Sequence, residues 1–417
     1  MLDTELYSRI LGIVAPWSVD RVELSDDAQV VTVSLSHDRS VPLHCPECNQ
    51  SAPGYDRRQR QWRHLDTCQF TTIVSASVPR VQCPEHGVRQ INVPWAESGS
   101  GYTALFEALV IDLRTATSTR RVAALIGLGW DAVDGILHRA VARGLARRTM
   151  TAPVHLGVDA IAVTRGHRYQ TILSDQTSGA VLHVADDRTT DSFGAFLSTL
   201  TPAQREAIRT IAMDMWPAYI CAAIAHIPEA EKKICFDKFH VAQHLSRAVD
   251  QVRRREHAVL LKAGDRTLTK TKYLWLRNPD HMTDAAFTKL EALSKARLKT
   301  ARAWGLKETA MLLWTYVSRH WGRTGWMLWY NKAIRSRLEP IKKVARMIKK
   351  HLWGILNAMA QQRTNALAES INSRIARIKH QACGFRNPER MKTMIYFHLG
   401  QLDLYPTPLH SANSPTQ

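Results

Sequence analysis

Two short cysteine-containing knuckles place the tightest constraint on what the first quarter of this 417-residue chain can fold into. The first, HCPEC, contains Cys45 and Cys48, and the second, QCPEHG, contains Cys83 and His86. Two residues separate the ligands of each pair, and 34 residues separate the pairs. Two soft ligands from each of two tight turns complete the tetrahedron that a structural Zn²⁺ prefers. The pattern therefore predicts a closed zinc site.

The segments between the knuckles predict a zinc ribbon. QWRHLD and FTTIVSASV both have the composition of β strands. A site with four protein ligands leaves no position for a substrate, so we expect this metal to be architectural. The alternative is a set of unrelated reduced thiols, which the repeated Cys-Pro-Glu disfavours. Cys68, His44 and His64 are spare ligands that we interpret as structural.

A helix-turn-helix is predicted after the ribbon. ESGSG indicates a linker, and Leu105, Leu109 and Leu113 then follow at helical spacing. STRRVAALIG forms a first helix, glycines interrupt it, and WDAVDGILHRAVARG forms a second, which in this motif enters the major groove. The alternative is a helical hairpin that binds nothing. The predicted DNA contacts are Arg120 and Arg121 in the first helix, Trp130, Asp131, Asp134 and His138 in the recognition helix, and Arg139, Arg143, Arg147 and Arg148 at phosphates.

The third region predicts an RNase H-like sheet. VHLGVDAIAV, RYQTILSD and GAVLHVA are β runs separated by glycine-containing turns, as in an antiparallel meander. The helical stretch SFGAFLSTL and the segment TPAQREAI follow, and then come the β run TIAMD, a helix from Trp216, the β run KKICFD and another helix from Phe239. In an RNase H-like fold the first and fourth strands are neighbours. A long basic segment then interrupts this domain.

Three acidic residues in this region are candidates for catalysis. Asp159 and Asp214 lie at or near the ends of apolar runs of strand length, and Glu369 lies on the helical pattern of TNALAESINSRIARIK. Carboxylates at fixed positions bind hard divalent ions. Two such ions about 4 Å apart activate a water or hydroxyl and stabilise the leaving oxygen of a phosphodiester. The set predicts a metal-dependent enzyme that cuts and rejoins DNA.

Each of these carboxylates has a rival interpretation. Asp159 could simply end a strand, but a carboxylate within an apolar run is costly unless it has a partner. Asp175 is its nearest competitor, yet LSDQTSG predicts a hairpin turn, where Asp is favoured for its backbone hydrogen bonds. Glu308 and Glu339 are substitutes for Glu369, but they lie in basic helical stretches and are interpreted as ion pairs.

The helix of Glu369 is predicted to bury one face. Leu367, Ile371 and Ile378 form its apolar stripe, while Glu369 shares another face with Asn372. We therefore expect one side of this helix to lie on the sheet and the other to face a wet groove.

Charge is concentrated in one part of the chain. The formal net charge is +19, and the segment from Arg247 to Lys350 holds 25 Lys or Arg against 8 Asp or Glu, a net +17. Such a surface neutralises phosphates, although a solvated helical face is the simpler explanation of a charge run. Lys342, Lys343, Lys349 and Lys350 are the DNA-contact candidates. Seven of the twelve tryptophans fall nearby, and we expect most of them to pack in the core: Trp275, Trp304, Trp314, Trp321, Trp326, Trp329 and Trp353.

The chain lacks the features of a secreted or membrane protein. No apolar run reaches the roughly 18 residues of a membrane span. Residues 1–10 lack the basic start and apolar stretch of a signal peptide. We therefore expect a cytoplasmic location, associated with the nucleoid in use, where cysteines are thiols or metal ligands.

The motifs CPEC, CPEHG, GVDA, AMDMWPAY, DKFHVAQH, TNALAESINSRI and GFRNPERMKTMIYFHLGQLDLYP closely resemble the ISL3 family of bacterial insertion-sequence transposases, from Cys45 to the C-terminus. The resemblance implies a DDE transposase with an RNase H-like core, an all-helical insertion and metal-dependent DNA chemistry. The expected cofactor is a pair of Mg²⁺ ions, or of Mn²⁺ ions, at the active site. Asp159, Asp214 and Glu369 match the family triad. Asp237 and His240 match an aspartate-x-x-histidine pair near the catalytic core.

Together these features predict a multidomain α+β protein. Its expected parts are an N-terminal segment with the zinc ribbon (1–93), the helix-turn-helix (100–150), the RNase H-like core (153–246 and 360–400), the basic helical insertion (247–359) and a C-terminal tail (401–417). The expected partner is double-stranded DNA at the element ends and the target. Because two ends are cut in one reaction, we also expect a homodimer or larger homo-oligomer. The alternatives are a transposase-derived DNA-binding regulator and a nuclease without strand transfer.

Overall fold

The structure, a computed structural model, describes residues 2–164, 168–277, 281–361 and 366–406. The chain divides into two compact units, Met1–Thr149 with Tyr396–Gln417 and Met150–Ile395. The predicted tail 401–417 is described only as far as residue 406. Both units combine sheets with helices, which confirms the α+β class.

A five-stranded mixed sheet fills the N-terminal part of the first unit. The strand order is β1-β2-β4-β3, with β5 beside β4. The β2–β4 pair is parallel, whereas β1–β2, β3–β4 and β4–β5 are antiparallel. The strands are β1 (Trp17–Ser25), β2 (Val30–His37), β3 (Gly54–Thr67), β4 (Phe70–Cys83) and β5 (Gly87–Gln90).

The predicted ribbon strands are thus part of a larger sheet. QWRHLD lies in β3 and FTTIVSASV in β4, as predicted, but β1, β2 and the helix α1 (Asp3–Leu11) were not assigned from the sequence. Trp17, Trp62 and Trp95 are buried on this sheet with edge-to-face contacts between rings 4.8 and 5.4 Å apart. This aromatic cluster holds the sheet to the segment that follows it.

Three helices follow the sheet in the first unit: α2 (Ala104–Ala116), α3 (Thr119–Ile126) and α4 (Trp130–Arg147). Ser118 caps α3 by accepting from the N–H of Arg121 at 3.3 Å. The helix ends at Gly127, whose φ of +66° needs the left-handed conformation that glycine adopts without strain. Helix, tight turn and second helix agree with the predicted helix-turn-helix.

A second five-stranded sheet lies at the centre of the second unit. Its order is β10-β9-β6-β7-β8, with β6, β7 and β8 antiparallel and β9 and β10 added in parallel. The predicted meander and the adjacency of its first and fourth strands are confirmed. The strands are β6 (His155–Thr164), β7 (Arg168–Asp175), β8 (Val181–Asp186), β9 (Thr210–Met213) and β10 (Ile234–Phe236).

SFGAFLSTL is helical and helices begin next to Trp216 and Phe239, as predicted, but Lys232 and Lys233 of the predicted β run KKICFD lie in a helix. After β8, helices form most of the described chain. They are α5 (Thr190–Thr199), α6 (Pro202–Ala207), α7 (Pro217–His226), α8 (Ala230–Lys233) and α9 (Lys238–Lys262), then α10 (Lys272–Leu276), α11 (Asp284–Lys295), α12 (Lys299–Leu312), α13 (Arg319–Arg335), α14 (Glu339–Lys350), α15 (Leu352–Ala360), α16 (Ala366–Gln381) and α17 (Pro388–Leu399).

The described part of the basic segment is helical apart from its connecting loops, and it shares one hydrophobic cluster with the sheet. Trp275, Trp326 and Trp329 are at most 2% exposed within this cluster, so they are core residues as expected. Trp304, Trp314 and Trp353 are half-buried against it. Trp321 is the exception and is 65% exposed. Because the core is shared, the helices of the segment support the sheet that carries the candidate site.

No helix in the described ranges combines the length and the apolar character needed to cross a bilayer.

Candidate active site and zinc centre

The zinc ligands converge as the knuckle spacing predicts. Cys45, Cys48, Cys83 and His86 have ligand atoms that all lie within 4.8 Å of one another. The Cys48 and Cys83 sulfurs are 3.8 Å apart, and His86 Nδ1 is 3.5 Å from Cys83 Sγ. A tetrahedron with Zn–S bonds of about 2.3 Å separates its sulfurs by about 3.8 Å. The donor set and its spacing therefore fit a structural Zn²⁺.

Local backbone geometry builds this site. Asn49 and Gly87, each directly after the second ligand of a knuckle, both have positive φ, at 57° and 68°. The backbone N–H of His86 is the main cause that lowers the pKa of Cys83 to about 6, which favours the thiolate that zinc requires. His64 lies elsewhere in the fold, where it is buried and hydrogen bonded to Thr103 at 2.8 Å.

The sheet of the second unit aligns three aspartates at one level. Gly157 pairs with Ala212 across the parallel β6–β9 ladder, so Asp159 and Asp214, two residues further on, stand side by side. Adjacent strands lie about 4.8 Å apart. Phe236 of β10 pairs with Met213, which extends the row to Asp237. Three neighbouring strands thus bring their carboxylates together where β9 and β10 end.

Glu369 approaches this row from a helix. It lies in the first turn of α16, which packs against β6 and donates from Lys379 Nζ to the carbonyl of Ala162 at 2.7 Å. Ile371 and Ile378 are buried while Glu369 is exposed, so the helix has the apolar face and the wet face that its pattern predicts.

Burial and mutual charge shape the acidity of these carboxylates. Burial is the main cause that raises the pKa of Asp159, Asp214 and Glu369. Repulsion from Asp159 further raises the pKa of both Asp214 and Glu369, and repulsion from Asp237 raises that of Asp159 and Glu369. The positive charge of His240 opposes all three shifts. These groups form one electrostatic site.

Asp237 and His240 occupy the start of α9. Asp237 is 7% exposed, and its carboxylate caps the helix by accepting from the N–H of Phe239 at 3.0 Å. His240 lies one turn further along and is half-buried. The pair therefore adds a fourth carboxylate and an imidazole to the triad.

Ligand atoms in the two centres are arranged differently. Among the described residues, the set around Cys45 is the one group of three or more His, Cys, Asp or Glu side chains that converges on a point for an ion. The triad carboxylates are neighbours without such convergence. Carboxylate oxygens under mutual repulsion are nevertheless suitable donors for hard divalent cations, which relieve that repulsion.

Two residues of the site were not predicted from the sequence as parts of it. Asn372 donates from Nδ2 to Oδ2 of Asp159 at 2.5 Å, while its own buried Oδ1 has no hydrogen-bond partner among the residues that the structure describes. The guanidinium of Arg188 lies between the rings of Tyr169 and Trp216. The sequence placed Asn372 on the same helical face as Glu369 without giving it a role, whereas no pattern in the sequence indicates a role for Arg188.

The rivals of the triad lie in ordinary structural roles. Asp175 accepts from the N–H groups of Thr177 and Ser178 in a hairpin turn, as predicted. Glu308 pairs with Lys307 at 2.7 Å, and Glu339 with Lys342 at 2.5 Å. The interpretation of both glutamates as ion-pair partners agrees with these contacts.

The helix-turn-helix uses some of its predicted phosphate contacts internally. Glu107 is 1% exposed, and its carboxylate binds both Arg139, at 2.5 Å, and Arg143, at 3.0 Å. Only 8% of the Arg143 side chain is exposed, and it also pairs with Glu97 at 2.5 Å. A buried carboxylate needs such partners, so we correct the prediction for Arg143, which stabilises the unit. Arg139 is partly committed to the same cluster.

Other predicted DNA contacts are more accessible. Arg120, Arg121 and His138 are exposed, and Trp130 is 39% exposed. Arg147 and Arg148, in contrast, bind Asp403 at 2.9 Å and the carbonyl of Gly400 at 3.2 Å. The accessible helical face is therefore narrower than the arginine spacing suggests.

Three of the four candidate lysines on α14 face solvent. Lys343, Lys349 and Lys350 are exposed. Lys349 also lies 4.6 Å from the centroid of the Tyr330 ring. The side chain of Lys342 is only 22% exposed and is held by Glu339. The exposed three, together with exposed Arg346, carry the positive field of this helix.

Comparison with known families finds matches in three stretches of the chain. A family described as transposase matches residues 156–395. A family described as the zinc-finger of transposase IS204/IS1001/IS1096/IS1165 matches residues 42–86. A family described as the helix-turn-helix domain of transposase family ISL3 matches residues 91–141. These stretches hold the zinc knuckles, the helices α2 and α3 with most of α4, and the carboxylate site.

Similar curated proteins cover nearly the full chain. The transposase for insertion sequence element IS1557 from Mycobacterium tuberculosis is 28% identical over 423 residues, which cover 94% of each chain. The transposase for insertion sequence element IS1001 from Bordetella parapertussis is 28% identical over 396 residues, or 93% of this chain and 96% of that protein.

Proposed function

Because the chain belongs to the ISL3 family of insertion-sequence transposases, we propose that it binds the terminal inverted repeats of its element and catalyses DNA strand cleavage and strand transfer. The observation that carries this proposal is the site formed by Asp159, Asp214 and Glu369. Neighbouring, partly buried carboxylates repel one another, so this arrangement does not stabilise the fold. A cation-dependent reaction explains their arrangement.

The strand order supports an RNase H-like core. Three antiparallel strands followed by two parallel ones place Asp159 and Asp214 on neighbouring strands, with residues 247–359 as a helical insertion before Glu369. In this proposal the first unit, with its zinc ribbon and helix-turn-helix, recognises the element ends. The basic helices of the insertion contribute non-specific affinity for phosphates.

We assign distinct roles to the residues of the site. Asp159, Asp214 and Glu369 would hold Mg²⁺, which when bound activates the attacking oxygen and stabilises the leaving one. Asn372 orients Asp159, and His240 supplies a positive charge that offsets the carboxylates. Asp237 fixes the start of α9, from which His240 projects.

The proposed reaction has two phosphoryl transfers. Water first attacks the phosphodiester at the element end, and the bond to the 3′ oxygen breaks to leave a free 3′-hydroxyl. That hydroxyl then attacks a target phosphodiester, joins the element to the target and releases a target 3′-hydroxyl. The two ends of one element must be processed together, so we expect a homodimer or a larger assembly on DNA.

The test combines one substrate with matched variants. Purified protein is incubated with Mg²⁺, labelled element ends and a target plasmid, and both cut and joined products are quantified. Wild-type protein and Asp175→Asn should give both products, whereas Asp159→Asn should give neither. Cut ends without joining would favour a nuclease. Binding without either product, at every Mg²⁺ or Mn²⁺ concentration, would favour a DNA-binding regulator.

A further inference from the structure

An arginine beside the carboxylate site is held between two aromatic rings. The Arg188 Cζ lies 4.2 Å from the centroid of the Tyr169 ring and 4.1 Å from that of Trp216. A guanidinium within about 6 Å of a ring face is attracted by the ring quadrupole, and Arg in addition stacks on such faces. With a ring on each side, the guanidinium is fixed before any ligand arrives.

The backbone around Arg188 is fixed as well. The preceding residue, Asp187, has a φ of 60°, and its N–H donates to the carbonyl of Tyr169 at 2.8 Å. Thr171 Oγ1 donates to the carbonyl of Asp187 at 2.6 Å, and Trp216 Nε1 donates to the carbonyl of Arg188 at 2.9 Å. Both ring-bearing segments are therefore tied to the loop that carries the arginine.

The N–H donors of this guanidinium are uncommitted. Within the part of the chain that the structure describes, Arg188 donates no side-chain hydrogen bond and pairs with no carboxylate. Arg143 in the first unit, by contrast, binds two carboxylates. Both rings lie over the guanidinium carbon of Arg188, and the residue is half-buried. A planar guanidinium directs its N–H donors outward in its own plane, which leaves its edge for a ligand. Five donors in a rigid fork fit the oxygens of a phosphate.

Arg188 is also close to the catalytic carboxylates. Trp216, one of its two rings, follows Asp214 by two residues and donates its backbone N–H to Asp214 Oδ1 at 3.1 Å. Burial raises the pKa of Asp214 overall, and the positive charge of Arg188 is among the weaker effects that oppose the rise. The arginine is thus near enough to act at the same site.

We propose that Arg188 binds a phosphate of the DNA strand that enters the catalytic site, through the edge of its ring-held guanidinium. This assignment rests on the proposed function, since it presumes DNA in that groove. It resolves a physical difficulty of the site, where four acidic side chains would repel a phosphodiester. A preorganised cation beside Asp214 attracts the strand and fixes its position, and the arginine side chain loses less entropy on binding than a free one would.

The experiment neutralises one phosphate at a time. Element-end duplexes carry a single methylphosphonate, which has no charge, at successive positions around the cleavage point. Affinity is measured in metal-free buffer and cleavage in Mg²⁺, for the wild-type protein and Arg188→Met. At the position that Arg188 contacts, we expect the neutral linkage to weaken wild-type binding about tenfold or more, as for other hydrogen bonds to charged groups.

The proposal requires that the two losses not add. Arg188→Met should bind unmodified DNA more weakly by the same factor, and at that one position the methylphosphonate should cause no further loss. At the other positions the penalties of wild type and variant should agree. A purely structural role would lower the melting temperature and leave every methylphosphonate penalty unchanged, which would overturn the proposal.

Two further variants serve as a control and as a substitute for Arg188→Met. Arg209→Met removes an exposed arginine just before β9, about 16 Å along the strand from Asp214, and should behave as wild type. An equal loss in this control would also overturn the proposal. If Arg188→Met does not fold, Arg188→Lys retains the charge and should show a reduced, position-specific penalty.

Failure of the chemistry is separate from failure of this assignment. Non-additivity in metal-free binding without any cleavage would reject the transposase reaction and leave Arg188 as a phosphate-binding residue. Normal cleavage by the wild-type protein with additive penalties would support the transposase reaction and reject Arg188 as a phosphate-binding residue.

Discussion

The side-chain amide of Asn372 donates a hydrogen bond of 2.5 Å to Oδ2 of Asp159, a residue 213 positions earlier in the chain. The other Asp159 oxygen accepts from the N–H of Ala160 at 2.7 Å. Asn372 lies one helical turn after Glu369, so the helix that contributes the third carboxylate also orients the first. The positions of the two carboxylates are therefore coupled.

Asn372→Ala should slow DNA cleavage by about 10- to 100-fold, as is common when a residue that orients a metal ligand is removed. The loss should be smaller at high Mg²⁺, because the weakened orientation reduces metal affinity first. The measurement is the cleavage rate against Mg²⁺ concentration. Ser373→Ala, an exposed neighbour on the same helix, is the control and should match wild type. A loss that no Mg²⁺ concentration alters would contradict the orienting role.

Asp159→Asn, Asp214→Asn and Glu369→Gln should each abolish cleavage and joining while DNA binding persists. An amide keeps the shape of the side chain but lacks the charge that holds the ion. The losses should be non-additive, because residues of one site act as a unit.

Asp175→Asn is the matched control for these substitutions. Asp175 pairs with Leu156 in the β6–β7 register, about 10 Å along the strand from Asp159. This variant should cut normally and lose about 1 kcal/mol of stability through weaker turn hydrogen bonds. If Glu369→Gln cuts at the wild-type rate, Glu369 is not the third ligand.

The stability of the metal-free protein should depend on pH because of the same buried carboxylates. Burial raises the pKa of Asp159 and Asp214. A group whose pKa is raised by folding stabilises the fold below its unfolded pKa, about 4 for Asp, and this contribution is lost as pH rises through the folded value. Asp159→Asn should therefore melt higher than wild type in EDTA at neutral pH, with the difference vanishing toward pH 4.

Adding Mg²⁺ should raise the melting temperature of the wild-type protein and leave that of Asp159→Asn nearly unchanged. Mg²⁺ affinity should fall as pH falls, because protons compete for the same oxygens. A wild-type protein more stable than Asp159→Asn in EDTA at neutral pH would show that Asp159 ionises without penalty. Melting curves across pH, with and without Mg²⁺, make the comparison.

Cys48→Ser or Cys83→Ser should remove zinc from the protein and loosen the ribbon, since metal binding and folding are one equilibrium. Binding to element ends should weaken, while the second unit stays folded. Metal analysis and limited proteolysis provide the readouts. Cys68→Ser, at an exposed hairpin position, is the control and should keep its zinc. Wild-type protein purified without zinc would contradict the prediction.

Substituting Lys343, Lys349 and Lys350 by glutamine should flatten the salt dependence of DNA binding. Each phosphate contact contributes about 0.9 to the slope of log affinity against log salt. Lys342→Gln should change it least, because Glu339 already neutralises that charge. Titrations at several salt concentrations measure the slope, and an unchanged slope in the triple variant would make this helix an ordinary solvated face.

The sequence by itself determined the parts of this protein whose geometry is local. The spacing within each knuckle, the turn between α3 and α4, the strands of the meander and the strand-forming runs of Asp159 and Asp214 all depend on residues within a few positions of one another. Asp214 directly follows β9, as its run predicts, whereas Asp159 lies in the middle of β6 and not at its end. Two-residue spacing in a knuckle or alternation along a strand fixes such geometry before any tertiary contact forms. The motif resemblance agreed with the triad already proposed from these patterns, and it added the pair Asp237 and His240.

Only the tertiary structure decided which residues meet across elements. The strands β1 and β2 extend the ribbon sheet. Arg143, a predicted DNA contact, instead forms a buried ion pair with Glu107 of α2. Asn372 donates a hydrogen bond to Asp159. Arg188 finds Tyr169 and Trp216 from two other segments. Helical spacing predicts the helix face on which an arginine lies, but not which element packs against that face. The packing depends on tertiary contacts, in which a buried charge needs a partner of opposite charge.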